Sequence, residues 1–390
     1  MFGRYFCFRS FCSILALLAV SCSSAPKHAA ETVSPDRLST PTPRDPYADD
    51  LGRFLAGLHG RTGSQFADLE AQPAWVRHRK ELDRAWNRIE ETSLPAMRAF
   101  QKTELCEAPI SKAPVFYPFS GPDALMVTVF FPANPTYVMV GLEPAGTLPH
   151  PKQLARKEFE KYLTSIRATL DSELSRSFFI TRQMDRQFRG QVTDGLFLPI
   201  LVLLVRSGHT ILGYRYVRLN DSGEVTERSA DLPRWNKTVN TGVEMDFRRD
   251  DDSSVHKLLY ITANLSDAGL ARNPGFLKLL GGLGGSSTLL KATSYMVHKP
   301  EFSTIRQTVL SMSAAVLQDD SGVPYRYFST PKWRVQLYGS YVRPYGSFRW
   351  LQQADLREAY LSSNPKALDF RIGYGYGKVE SNLLLARKEN

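Results

Sequence analysis

The stretch LMVTVFFPANPTYVMVGL, residues 125–142, governs how the chain is read. Two apolar runs rich in β-branched and aromatic residues, Leu125–Phe131 and Tyr137–Leu142, flank the short turn Pro132-Ala-Asn-Pro135, and this pattern predicts a β-hairpin. The hairpin ends in Gly141-Leu-Glu-Pro-Ala-Gly146. The ten residues Tyr137–Gly146 can be laid on Tyr260–Gly269, with Tyr, Leu, Ala and Gly at the same spacing. Further along, an apolar segment followed by Ser207-Gly208 and Tyr214-Arg215-Tyr216 matches one followed by Ser321-Gly322 and Tyr325-Arg326-Tyr327. A duplicated order of this kind predicts two β-β-α-β modules. Hairpins and helices that keep to separate stretches argue for an α+β fold rather than a doubly wound sheet.

Working outward, residues 48–107 read as a helical N-terminal segment, with Trp75, Leu82, Trp86, Ile89, Met97 and Phe100 at helical spacing and Pro95 dividing it. The first module spans 108–230 and the second 231–330. Residues 151–188 are helical in pattern. Leu196–Val205, apolar on every side but only ten residues long, is a buried core helix and too short to cross a bilayer. Ile211–Leu219 and Glu224–Ser229, joined by Asn220-Asp-Ser-Gly223, form a hairpin, and 242–248 with 255–263 form another. Residues 275–281, 286–298 and 301–317 read as helices. A C-terminal β extension, 331–390, carries expected strands at 333–342, 345–350 and 369–376 around a helix at 351–362.

The chain has 390 residues, 43% of them hydrophobic, and a formal charge of +10. That composition excludes disordered, collagen-like and disulfide-framework proteins. At the N-terminus, Arg4 and Arg9 precede an apolar run, Phe11–Val20, and then Ala19-Val20-Ser21-Cys22. Residues 1–21 read as a secretory signal, and the last four residues resemble the lipobox of bacterial lipoproteins. The resemblance implies diacylation of Cys22 and cleavage before it. Residues 22–47 then form a tether: five prolines at 26, 35, 41, 43 and 46 make a spacer that reaches about 75 Å if extended and about 25–30 Å as a coil. Ser23 and Ser24, with no Asp at the second position, imply the outer membrane by resemblance to sorted Gram-negative lipoproteins.

After cleavage Cys106 is the one remaining thiol, so no intramolecular disulfide forms, and Cys106 reads as a buried structural residue. No G-x-S-x-G, H-E-x-x-H or Walker A motif is present, and Ser363-Asn-Pro-Lys366 lacks the partners its S-x-x-K pattern would need. Gly281–Ser287 could form an N–H nest ahead of a helix. Asp246, Asp250, Asp251 and Asp252, and separately Asp319-Asp320-Ser321-Gly322, are loop carboxylates without EF-hand spacing. The histidines at 28, 59, 78, 150, 209, 256 and 298 show no paired ligand spacing. No cofactor or metal is indicated.

Phe119-Ser-Gly-Pro-Asp123, Gly141–Gly146 and Leu317–Gly322 are similar to stretches in an unnamed family of bacterial proteins of unknown function. That resemblance covers roughly residues 114–342 and carries no activity. The resulting expectation is a non-catalytic, lipid-anchored envelope protein. Its body would bind an envelope protein or an anionic or polysaccharide ligand, in a groove between the modules near Gly146, Gly269, Arg215 and Arg326. Nucleic acid is excluded as a partner by export. The alternative is a hydrolase of an envelope polymer or lipid, drawing on Asp123, Glu143, His150 and His209.

Overall fold

A computed structural model describes residues 41–154, 159–176, 195–229, 240–377 and 380–389. The signal, Cys22, the tether as far as residue 40 and the expected helix over 177–188 lie outside these residues.

The described residues build one ten-stranded mixed sheet. Its strands are β1 (Val115–Tyr117), β2 (Thr136–Gly141), β3 (His209–Leu219), β4 (Val225–Glu227), β5 (Thr241–Arg249), β6 (Val255–Thr262), β7 (Ser286–Leu290), β8 (Ser313–Gln318), β9 (Trp333–Gly339) and β10 (Asn382–Lys388). They lie in the order β4-β3-β5-β6-β2-β1-β7-β8-β10-β9. The five central strands, β6-β2-β1-β7-β8, are parallel, and antiparallel strands flank them on both sides. The mixture of helix and strand is as the sequence indicates. The expected segregation is not found, because helices alternate with the parallel strands and cover both faces.

The alternation along β2 shows how the two faces are filled. Tyr137 and Met139 join the helices Pro46–Leu55, Pro73–Thr92, Leu94–Glu104, Ala124–Phe130, Phe159–Arg176 and Phe197–Arg206 on one side. Val138 and Val140 face Asp267–Arg272, Pro274–Gly281, Ser303–Met312 and Ala354–Ser362 on the other. A parallel strand covered on both faces reads as a continuous apolar run, as Tyr137–Val140 of β2 does. The N-terminal helices follow the expected pattern, with Trp75, Leu82, Trp86 and Ile89 buried. Every residue from Phe197 to Val205 is buried as well.

Several elements differ from expectation. Leu125–Phe131 is no strand: Ala124–Phe130 is a helix with all seven residues buried, and its first turn is capped by the Asp123 side chain accepting from Met126 N. A short run that is apolar all round has no periodicity to separate strand from helix. The unit is therefore β-α-β, with β1 parallel to β2 and Val115 opposite Tyr137. Residues 286–298 are not one helix; they form β7, a loop and the 3₁₀ turn Met296–His298. Residues 301–317 divide into the helix Ser303–Met312 and β8. Residues 345–350 and 369–376 form no strands and hold the 3₁₀ turns Gly346–Phe348 and Gly373–Gly377. The last strand, β10, had no counterpart in the sequence reading.

The duplication is not what the chain forms. β2 and β6 are neighbours in one sheet, with Met139 opposite Tyr260. A helix precedes β2, and the antiparallel strand β5 precedes β6. Tyr214-Arg215-Tyr216 lies in β3, whereas Tyr325-Arg326-Tyr327 is a 3₁₀ turn. No helix among the described residues is long and apolar enough to cross a membrane.

Candidate functional site at the carboxyl edge

Numbered by appearance within the parallel block, the five central strands run 3-2-1-4-5. The connection from β1 carries its helix, Ala124–Phe130, to one face, and that from β7 carries Ser303–Met312 to the other. The chain thus turns away in opposite directions after β1 and β7, which pair side by side. Open α/β sheets place ligands at the carboxyl ends of the strands flanking such a switch point.

Backbone strain gathers in the same two loops. Five non-glycine residues have positive φ among the described residues, and four of them are Phe119 (59°) after β1 and Ala292 (50°), Ser294 (54°) and Tyr295 (52°) after β7. Each such residue costs on the order of 1–3 kcal/mol and persists only where its surroundings over-determine it. The surroundings here are polar and tightly bonded. Lys291 Nζ lies 2.5 Å from Asp123 Oδ2, both side chains only 2% exposed, and Tyr117 Oη donates to the same oxygen at 2.7 Å. Ala292 N donates to Asp319 Oδ2, Thr293 N to Ser321 Oγ and Ser294 N to Tyr374 Oη. Tyr295 Oη donates to Asp320 Oδ2 at 2.5 Å. Gly373 has φ +62°, and a Cβ there would lie 2.0 Å from Asp319 Oδ2, so only glycine lets that chain approach the carboxylate.

The two buried carboxyls beyond β8 are perturbed. Burial, and then the neighbouring Asp319 charge, pushes Asp320 up to about 7. Burial also raises Asp319, against the opposing pull of hydrogen bonds from Ser321 and Ala292 and of Lys291. Burial raises the Tyr295 phenol, and the Asp320 carboxyl beside it adds to the shift. Burial and the Asp319 charge thus favour the protonated form of Asp320, with a tyrosine bonded to it. Asp123, Glu143, Asp319 and Asp320 bring four carboxyls to this edge, with Lys291 paired to Asp123. Such a lining suits a hydroxyl-rich neutral or cationic ligand better than an anion. Among the described residues no group of His, Cys, Asp and Glu is arranged to hold a metal.

Three stretches singled out in the sequence converge here: 119–123 follows β1, 141–146 follows β2 and 317–322 ends β8 and turns out of it. Gly146 and Gly269 also lie at this edge, in the segments after the adjacent strands β2 and β6. Gly146 has φ +72°, and a Cβ on Gly269 would stand 2.2 Å from Asn264 O. The arginines are not brought together. Arg215 is ion-paired with Glu244 on β5, and Arg326 lies over the Tyr327 ring beyond β8. Six strand positions separate β3 from β8, about 29 Å at ~4.8 Å each.

Of the expected hydrolase residues, Asp123 and Glu143 stand at this edge, whereas His209 does not. Gly141 is level with Thr262, Thr241 and Arg218 across the sheet. His209 lies nine residues before Arg218 on β3, about 30 Å away. His209 is buried at the opposite edge, and burial lowers it to about 4. His150 is exposed, with its ring at the amide of Lys152.

Other expectations are corrected. Cys106 is exposed, not buried. Gly281–Ser287 leads into β7 rather than a helix, with Gly284 and Gly285 at positive φ. Asp246 pairs with Lys257, Asp251 with Arg249, and Asp252 accepts from Ser254. Lys366 pairs with Glu104. Of the site residues, Asp123, Asp319 and Asp320 were visible in the sequence as candidates. Lys291 and Tyr295 were hidden inside a misread helix, and the positive φ values have no signal in Ala, Ser or Tyr. Comparison with known protein families and with curated proteins finds no match to this chain.

Proposed function

We propose that the protein is an envelope lipoprotein, acylated at Cys22 and held at the outer membrane. In this reading its body binds a hydroxyl-rich, neutral or cationic small ligand, without catalysing a reaction, at the carboxyl edge between β1 and β7. The observation that carries the reading is the convergence at one switch point of four strained non-glycine residues with a buried acidic cluster. Net positive charge alone favoured an anionic ligand, but the acidic lining of this edge argues for hydroxyl groups as the recognised feature. Thermal-shift measurement with a panel of saccharides, nucleosides and phosphate-bearing nucleotides tests it. A hydroxyl-rich compound lacking phosphate should raise the melting temperature of the parent protein and not of Ser294→Trp, whose side chain fills the edge. The anchor is tested separately with an acyl-chain probe: labelling should disappear in Cys22→Ser.

One observation favours a second reading, a nucleoside-dependent enzyme. Glu143 stands at the end of β2, twenty residues after Asp123 in the loop that follows β1, where a carboxylate would meet a ribose hydroxyl in sheets of this strand order. The Asp123 carboxylate, however, already caps the short helix at the place a pyrophosphate would need, and the loop lacks G-x-G-x-x-G. With S-adenosylmethionine added to the panel, its binding while NAD and ATP fail to bind would favour this reading.

A further inference from the structure

The loop Ser340–Gln353, after β9, contains Tyr341, Tyr345, Phe348 and Trp350 with Arg343 and Arg349, and no Asp or Glu. Its inner side is fixed. Val342 is buried, and the Phe348 ring lies 5.1 Å from Tyr295 and 5.2 Å from Tyr374. Fixing that side turns the rest outward. Trp350 is 77% exposed and Tyr345 48%, among the most exposed large apolar side chains described. The Arg349 guanidinium stands 4.7 Å from the centre of the Trp350 ring, and both arginines are exposed.

We infer that this loop is a membrane-contact surface that takes the anionic headgroup layer of the bilayer. The chemistry of the loop selects that occupant. Trp and Tyr carry an apolar body with a polar tip and settle at headgroup depth. Arginine pairs bidentately with phosphate, and the loop itself carries no acidic side chain to repel an anionic surface. On the proposed reading that Cys22 is acylated, the tether is long enough to bring the surface within reach. Thr42, where the described chain begins to bond to the body, is fixed to Asp246 on β5. Seven strand positions, about 34 Å, separate β5 from β9. The twenty residues from Cys22 to Thr42 span roughly 60 Å when extended. Contact through the loop would hold the carboxyl edge against the headgroups rather than free in solution.

Fluorescence quenching of the full-length protein, reconstituted in vesicles that contain a lipid with brominated acyl chains, tests this. The other four tryptophans, Trp75, Trp86, Trp235 and Trp333, contribute the background, so the difference between the parent and Trp350→Phe reports Trp350. Quenching should be stronger with phosphatidylglycerol than with phosphatidylcholine alone. The extra quenching should be lost in Trp350→Phe and reduced in Arg343→Gln/Arg349→Gln. Equal quenching of the parent and Trp350→Phe would overturn the inference. So would quenching that ignores phosphatidylglycerol, or Trp350-dependent retention on peptidoglycan without lipid quenching.

Discussion

Lys291 and Asp123 close the switch point from opposite sides: one leaves β7, the other caps the helix after β1, and their charged atoms meet at 2.5 Å with both side chains 2% exposed. A buried pair of this kind ties two crossovers together, but it holds only while both charges are present.

Removing one partner should therefore be severe. Lys291→Met leaves the Asp123 carboxylate buried without its ammonium and should lower unfolding stability by about 3–5 kcal/mol. The double variant Lys291→Met/Asp123→Asn should recover part of that loss. Urea denaturation of the four proteins of the cycle measures the coupling, and additive single effects would contradict it.

Asp320 gives a pH dependence of defined sign. Its folded pKa of about 7 stands above its ordinary 3.8. The native state then binds the proton more tightly than the unfolded chain, and this contribution to stability is lost as pH rises from about 4 to about 7. His78, His209 and His298 act in the opposite sense: burial lowers each to about 4 from 6.5, so their contribution is lost as pH falls through that window. The difference between Asp320→Asn and the parent isolates the carboxyl. Melting curves should show the variant gaining relative stability from pH 4 to pH 7; a flat difference would contradict the assignment.

Gly146 and Gly269 should respond to alanine for different reasons. At Gly146 the positive φ makes the cost conformational, about 1 kcal/mol. At Gly269 the new Cβ would stand 2.2 Å from Asn264 O, inside contact distance, so the helix Asp267–Arg272 must shift. Gly269→Ala should be the more destabilising of the two in thermal denaturation.

The base of the tether is clamped by Asp246, whose Oδ2 accepts from Thr42 N at 2.7 Å and Thr42 Oγ1 at 2.9 Å while Lys257 holds Oδ1. Asp246→Ala should free residues 41–45 and raise their rate of cleavage under limited proteolysis several-fold, with later cleavage in the body.

What the sequence disclosed follows from which elements had a period. Helices with one apolar face, such as Pro73–Thr92, and strands closed by a recognisable turn, such as β3 with β4, stood out at once. In the parallel centre β2 and β6 were legible as strands, but β1, β7 and β8 were not. Its strands are buried on both faces, so β7 and the end of β8 carry no alternation and merged with neighbouring helices, while Ala124–Phe130, buried all round, imitated a strand. Half of the site shared that fate. Asp123, Asp319 and Asp320 were conspicuous as loop carboxylates, but Lys291 and Tyr295 reach them only through a crossover whose course depends on strand order. Side-by-side strands in one sheet, β2 and β6, also produced the likeness read as a duplication: two neighbouring strands ending at the same edge call for similar residues.

Hydrogen–deuterium exchange with and without whichever phosphate-free, hydroxyl-rich compound raises the melting temperature tests the location of the site most directly. Protection should appear at the amides of 119–123 and 291–295, on both sides of the switch point. Protection confined to the antiparallel edge of β3, β4 and β5, or no protection in either loop, would contradict a binding site between β1 and β7.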